Sequence, residues 1–284
     1  MTSHKIPFTK MNGCGNDFIV VDNRQGIMDG FDLPLFVKRV CARGTSLGAD
    51  GFMMLEHSDL ADFKMRYFNA DGSEGEMCGN GARCLSRFAH LVGAAQEHMW
   101  FETLAGFYHA QIHPESQHVS VGFPDVILDD LKLNQAYPSD GPSTLYHYGW
   151  VGVPHTVWIV DQLAAISDRQ IIDWGRLIRY DGIHFPQGTN VNFIEVRDRH
   201  NLQIRTYERG VEAETYACGS GSTAAAIIAG LLGLVEVESP VRVHTRGGIL
   251  QISYQLSDGL AQEVKMEGNA KIVASGELLP DAWL

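Results

Sequence analysis

Two stretches of this chain carry nearly the same message, and that repetition limits the folds open to it. Arg66 to Arg83 reads R-Y-F-N-A-D-G-S-E-G-E-M-C-G-N-G-A-R, and Arg205 to Thr223 reads R-T-Y-E-R-G-V-E-A-E-T-Y-A-C-G-S-G-S-T. Their opening arginines lie 139 residues apart, and Cys78 and Cys218 lie 140 apart. Gly13 to Asp22 aligns without a gap on Gly152 to Asp161, and Thr103 to Gly106 aligns loosely on Thr245 to Gly248 at an offset of 142. Four matches in one order at nearly one offset indicate an internal duplication, with two similar half-domains that each carry one cysteine loop.

Each loop reads as a strand end, a polar turn containing glutamate and glycine, then Cys-Gly-X-Gly at the mouth of an apolar helix. A thiol at a helix N-terminus feels the positive end of the helix dipole, so its thiolate is favoured and its pKa is expected to fall. The free N–H groups of that first turn form an anion site. A duplicated fold is expected to set matched loops across a shared cleft, with Cys78 and Cys218 facing one substrate between them. Two acid–base groups on opposite faces of a carbon are what inversion of a stereocentre needs: one thiolate removes a proton and one thiol delivers another. Helix N-termini aimed at the neighbouring carboxylate would stabilise the enediolate.

A length of 284 residues suits two domains, and 45% hydrophobic with 20% charged residues is globular composition. The net charge of −12 argues against nucleic acid or an anionic membrane as partner. No apolar run reaches membrane-spanning length, and the first residues lack the apolar core of a signal peptide. The expected location is the cytoplasm, where five cysteines stay reduced; Cys14, Cys41 and Cys84 read as inert buried thiols. His109 and His113 share a strand face but have no third ligand, so no metal site is expected.

Taken in order, the pattern predicts a strand at Phe18–Asp22, a helix after Pro34, strands at Phe52–Glu56 and Lys64–Phe68, and a helix from Cys78 to about Gly93. Strands at Met99–Thr103, Gly106–Ile112 and Val119–Gly122 close the first half. Pro124 to Pro142 reads as a strand-poor crossover. The second half predicts a strand at Val157–Val160 and a helix at Ser167–Tyr180 capped by Ser167. Strands at Asn190–Val196 and Leu202–Tyr207 precede a helix over Gly219–Leu234. Three further strands run over Val241–Thr245, Ile249–Gln255 and Gln262–Glu267, and the tail from Ala270 is expected to pair back onto the first half. The expected domains are residues 1–122 with 269–284, and residues 123–268.

The chain resembles the diaminopimelate epimerase family, cofactor-independent enzymes that interconvert LL- and meso-diaminopimelate. The resemblance rests on F-T-K-M-N-G-C-G-N-D-F-I-V-V-D, F-N-A-D-G-S-E…C-G-N-G-A-R-C, G-V-P-H, N-V-N-F and Y-E-R-G…E-T-Y-A-C-G-S-G, and spans most of the chain. It implies an α/β (α+β) fold of two pseudo-symmetric domains, each a curled, mostly antiparallel sheet around a long central helix. It implies Cys78 and Cys218 as the acid–base pair, with N–H groups of Gly79, Asn80, Gly219 and Ser220 holding the reacting carboxylate. Asn16, Asn69 and Asn190 would bind the polar ends of the substrate, and Arg209 its distal carboxylate. Glu208 would accept from an amine, and His155 and Glu208 would tune the thiols. The resemblance also implies a role in lysine biosynthesis, no cofactor, a small-molecule partner and a homodimer. Val153 and Gly51 depart from the family pattern, which keeps a racemase of another amino acid as a second reading. A thiol–disulfide redox protein is a third.

Overall fold

The computed structural model describes residues 5–137 and 141–284. The chain divides into two compact units, Met1–Val121 with Gly268–Leu284, and Gly122–Glu267. The elements run β1 (Ile6–Gly13), β2 (Asn16–Asp22), α1 (Leu33–Val40), β3 (Gly51–Glu56), β4 (Phe63–Asn69), β5 (Glu74–Gly75), α2 (Gly79–Leu91), β6 (His98–Thr103), β7 (Gly106–His113) and β8 (His118–Gly122). They continue with β9 (Val126–Ile127), β10 (Lys132–Ala136), β11 (Leu145–Val151), β12 (Val153–Ile159), α3 (Asp168–Arg179), β13 (Asn190–Asp198), β14 (Asn201–Glu208), β15 (Ala213–Thr215), α4 (Gly219–Leu231), β16 (Val241–Thr245), β17 (Gly248–Ser257) and β18 (Leu260–Asn269). The last strand, β19 (Lys271–Leu278), pairs antiparallel with β1, as the sequence led us to expect of the tail.

The first unit's strands lie side by side as β19–β1–β2–β3–β4–β6–β7–β8. The second unit repeats this plan as β10–β11–β12–β13–β14–β16–β17–β18. Both are mostly antiparallel, and the exceptions fall at matching places: β2/β3 and β4/β6 are parallel, as are β12/β13 and β14/β16. Side-chain detail repeats too. The Thr103 hydroxyl donates to the Gly106 carbonyl at 2.9 Å, and the Thr245 hydroxyl donates to that of Gly248 at 2.7 Å. Arg66 Nε reaches Glu74 at 2.7 Å, as Arg205 Nε reaches Glu214.

Each sheet curls around one helix. α2 packs on β1, β2, β3, β4 and β7, and α4 on β11, β12, β13, β14, β16 and β17. Every residue of α4 from Gly221 to Ala229 is buried, which only a helix apolar on all sides tolerates. Its small side chains let strands come close: the Tyr254 hydroxyl donates to the Ala226 carbonyl at 2.9 Å. On the outer face of the first sheet, Phe36, Val37 and Val40 of α1 join Ile19, Val21, Phe52 and Met54 in one core cluster. Strands covered on both faces read as continuous apolar runs, as Phe18–Val21 does. α3 begins at a capping box between Ser167 and Gln170. Both central helices end with the chain turning at a glycine of positive φ, Gly93 and Gly233.

One sequence expectation needs correcting. The segment from Pro124 is not strand-poor: it holds β9, a short 3-10 turn over Leu128–Asp130, and β10. β10 is a polar edge strand (K-L-N-Q-A) whose pairing with β11 is interrupted between Lys132 and Gln135, and Asn134 takes a positive φ of 52°. Such a strand is held by its neighbour rather than by its own propensity. β11 itself also escaped the sequence pattern. Residues 138–140 of the expected crossover lie outside the described residues. Among the described residues, no helix is long and apolar enough to cross a membrane.

Candidate active site

In the first unit, β4 and β5 deliver the chain to Cys78, which caps α2 in extended backbone (φ −133°). The Gly81 N–H points at the Cys78 sulfur at 3.5 Å, so the thiol takes the place of an N-cap oxygen. Asn80, in the first turn of α2, is buried and donates from Nδ2 to Asn16 Oδ1 at 2.5 Å. Buried Arg83, one turn on, donates to Asn80 Oδ1 at 2.9 Å and so aims that amide. Asn16 donates in turn to Asp50 at 3.2 Å. Asp17 and Asp50 share Arg43, and Asp17 also meets Lys10; these cations hold the Asp17 carboxyl below the usual range despite its burial. Asn69, at the exposed end of β4, accepts from the Tyr67 hydroxyl at 2.8 Å and donates to Ser73 at 3.1 Å. The Tyr67 ring also explains Gly51, where a Cβ would lie 2.7 Å from that ring and 2.8 Å from the Phe68 carbonyl.

The second unit repeats the loop with different chemistry. Cys218 precedes α4 in the same extended backbone (φ −108°), with its sulfur 3.6 Å from the Ser220 hydroxyl. Glu208 ends β14 and accepts from Thr215 at 2.8 Å. Asn190 opens β13; its Oδ1 accepts the Arg209 N–H at 2.9 Å, and its Nδ2 donates to the Pro154 carbonyl at 3.1 Å. Arg209 spends one guanidinium N–H on the Gln187 carbonyl at 2.9 Å. His155, fully buried in β12, lies beside Asn190 in the parallel register.

The electrostatics overturn one expectation. Burial pushes the Cys218 thiol well above the usual cysteine range, and the Glu208 carboxylate pushes it further. The Ser220 hydroxyl and the Gly221 N–H offset this only in part. A helix dipole acts on any thiol at its N-terminus, but a desolvated sulfur beside a carboxylate keeps its proton. Cys218 is therefore held as a proton donor. Burial also lowers His155 to about 3, with the Arg209 charge acting in the same sense, so its imidazole is neutral. Cys14, Cys41 and Cys84 are buried free thiols, and burial raises Cys41 and Cys84 to about 12.

Within the first unit the structure brings together Cys78, Gly79, Asn80 and Asn16, and sets Asn69 at the end of the strand feeding that loop. Within the second it gathers Cys218, Gly219, Ser220 and Glu208, and joins Asn190 to Arg209. Sequence reasoning named neither the positioning role of Arg83 nor that of Asp50, although Arg83 stands inside the Cys78 motif. Its burial is what the sequence could not disclose. Asn192, inside the N-V-N-F motif, also went unremarked.

The fold is shared with solved proteins of low sequence identity. A phenazine biosynthesis protein of the PhzF family from Bacillus anthracis superposes with a TM-score of 0.74 at 15% identity, over 97% of this chain and 99% of that one. A hydroxyproline epimerase from Agrobacterium vitis superposes with a TM-score of 0.71 at 13% identity, over 98% and 93%. At the level of sequence, the profile of the diaminopimelate epimerase family matches residues 8–127 and 148–273. A diaminopimelate epimerase from Archaeoglobus fulgidus is 42% identical over 283 residues, covering 96% of each chain. The chain belongs to the diaminopimelate epimerase family.

Proposed function

We propose that this protein is an isomerase that interconverts LL- and meso-diaminopimelate without a cofactor, in lysine biosynthesis. The observation that carries the reading is the duplicated Cys-Gly-X-Gly at the mouths of two buried central helices, in a chain that the family matches in both halves. One thiolate takes the proton from the α-carbon, leaving its electron pair delocalised onto the adjacent carboxylate. The opposite thiol returns a proton to the other face. N–H groups of Gly79 and Asn80 and of Gly219 and Ser220 stabilise the developing charge, an effect worth several kcal/mol in water-excluded sites. Cys218, held protonated by burial and Glu208, starts as the acid, and Cys78 starts as the base in that direction. Asn16, Asn69 and Asn190 hold the polar ends of the substrate, Arg209 offers its guanidinium fork to the distal carboxylate, and Glu208 accepts from an amine. His155 lies in the same half-site as Cys218 and Glu208. We keep a cytoplasmic location and a homodimer as part of this reading; light scattering on the purified protein tests the latter.

The reduced protein in D₂O, given LL-diaminopimelate and no pyridoxal phosphate, should incorporate deuterium at one α-carbon and yield the meso isomer. Exchange with another amino acid alone would favour a racemase of different specificity, the reading that Val153 and Gly51 keep open. Absence of exchange with every amino acid, with dithiol reactivity retained, would leave the redox reading. Cys78→Ala and Cys218→Ala should each abolish net epimerisation; full turnover by either variant would sink the two-thiol scheme.

A further inference from the structure

Asn192 is fully buried in β13 and spends its amide on three partners. Its Nδ2 donates to the Thr156 carbonyl at 2.8 Å and meets His155 Nδ1 at 3.2 Å, while its Oδ1 accepts from the Thr206 hydroxyl at 3.0 Å. A backbone carbonyl can only accept, so Thr156 fixes which end of the amide is nitrogen. The second hydrogen of that nitrogen points at His155 Nδ1, which must then be the bare ring nitrogen. The ring proton belongs on Nε2. That atom is buried and has no hydrogen-bond partner among the described residues. Buried N–H groups are rarely left so, because the loss of hydration goes uncompensated.

The other side of Asn192 touches the cysteine loop. A Cβ on Gly221 would lie 2.3 Å from Asn192 Oδ1 and 3.2 Å from Cys218 Sγ, so amide and sulfur crowd the same spot on the first turn of α4. At the matching place in the first unit, a Cβ on Gly81 would meet the Met53 sulfur at 2.9 Å, a side chain with no such amide to offer. The polar arrangement is thus particular to the Cys218 half.

We propose that Asn192, braced by Thr206, is a positioning residue that locks His155 as the neutral Nε2–H tautomer, so that His155 serves as a hydrogen-bond donor to an acceptor brought by the bound ligand and not as a proton-accepting base. The inference rests on the reading of the Cys218 loop as catalytic. The Arg209 charge beside the ring disfavours the imidazolium and favours a ligand acceptor that is anionic, a carboxylate oxygen. A buried ring whose lone pair is already satisfied has no site from which to take a proton, and its one free valence is a donor.

The test is ¹⁵N NMR of the full-length protein labelled at histidine, with His155→Gln supplying the assignment. The native ring should show a protonated Nε2 and a bare Nδ1 between about pH 5 and 8, with no imidazolium. In Asn192→Asp the proton should move to Nδ1, and in Asn192→Ala both tautomers should appear. Thr206→Val, which keeps the volume, should loosen the preference less. kcat/KM should fall about 10- to 100-fold in the Asn192 variants, taking as a guide the loss when a hydrogen bond that orients a metal-bound imidazole is removed, and less in Thr206→Val. A native ring protonated at Nδ1, a ring that titrates near neutrality, or Asn192→Ala with an unchanged tautomer would each overturn the proposal. So would a redistributed tautomer with unchanged kcat/KM. The spectra read the tautomer whatever substrate the enzyme takes, so failure of the diaminopimelate assignment would show separately, as absent exchange with a correctly protonated ring.

Discussion

Cys78 and Cys218 occupy the same backbone position but not the same environment. Each sulfur faces a first-turn N–H, Gly81 for Cys78 and Gly221 for Cys218, but Cys218 is also desolvated and lies beside Glu208. Removing that carboxylate removes a negative charge next to a group that becomes negative, so Glu208→Gln should lower the Cys218 pKa. In a Cys78→Ala background, the pH midpoint of Cys218 alkylation should move down; an unmoved or raised midpoint would contradict the assignment. The position of both cysteines at helix mouths was legible from Cys-Gly-X-Gly followed by small and apolar residues. The direction of the Cys218 shift was not, because it depends first on burial of the sulfur and then on a carboxylate ten residues away that the β14–β15 turn brings to it.

At the level of elements, duplication supplies an internal control. Arg66–Glu74 and Arg205–Glu214 are the same ion pair in the two copies, yet the first is a quarter to a third exposed and the second is almost enclosed. Removing one partner of an enclosed pair strands the other charge, so Arg205→Met should destabilise by about 3 kcal/mol even though Arg246 also reaches Glu214. Arg66→Met should cost at most about 1 kcal/mol, as for other exposed pairs. Urea denaturation of the two variants decides it; equal losses would mean that burial does not govern the difference. The capping box of α3 offers a second check: Ser167→Ala should cost about 1 kcal/mol by the same measurement, since it removes the oxygen that accepts the Gln170 N–H. Helix starts were readable because capping is local. β10 and β11 were not, because an edge strand with polar residues takes its conformation from the strand it pairs with.

For the molecule as a whole, buried titratable groups set the range of pH over which it is stable. His155 is neutral in the fold, with its value depressed to about 3 against an ordinary 6.5. Its contribution is present above pH 6.5 and is lost as pH falls towards 3, at about 1.4 kcal/mol per pH unit. Cys41 and Cys84 have values raised to about 12 from 9, so their contribution is present below pH 9 and is lost as pH rises towards 12. Stability should therefore be broadest between about pH 6.5 and 9. His155→Gln should flatten the fall between pH 6.5 and 4.5, above the range where the depressed carboxyls of Asp17 and Asp22 begin to titrate. An acid limb of unchanged slope in that variant would show that the ring is not neutral in the native protein.

The sequence by itself determined the duplication, the two cysteine loops, the central helices and the family, because each is written in local spacing and repeated at one offset. Tertiary structure alone decided how the copies diverged. It set Asn192 against His155 where the first copy has Met53, enclosed one ion pair and left the other wet, and buried Cys218 beside a carboxylate that keeps its proton on. Local pattern says where a side chain leaves the backbone; solvent access and the partners brought by distant strands decide what that side chain can do.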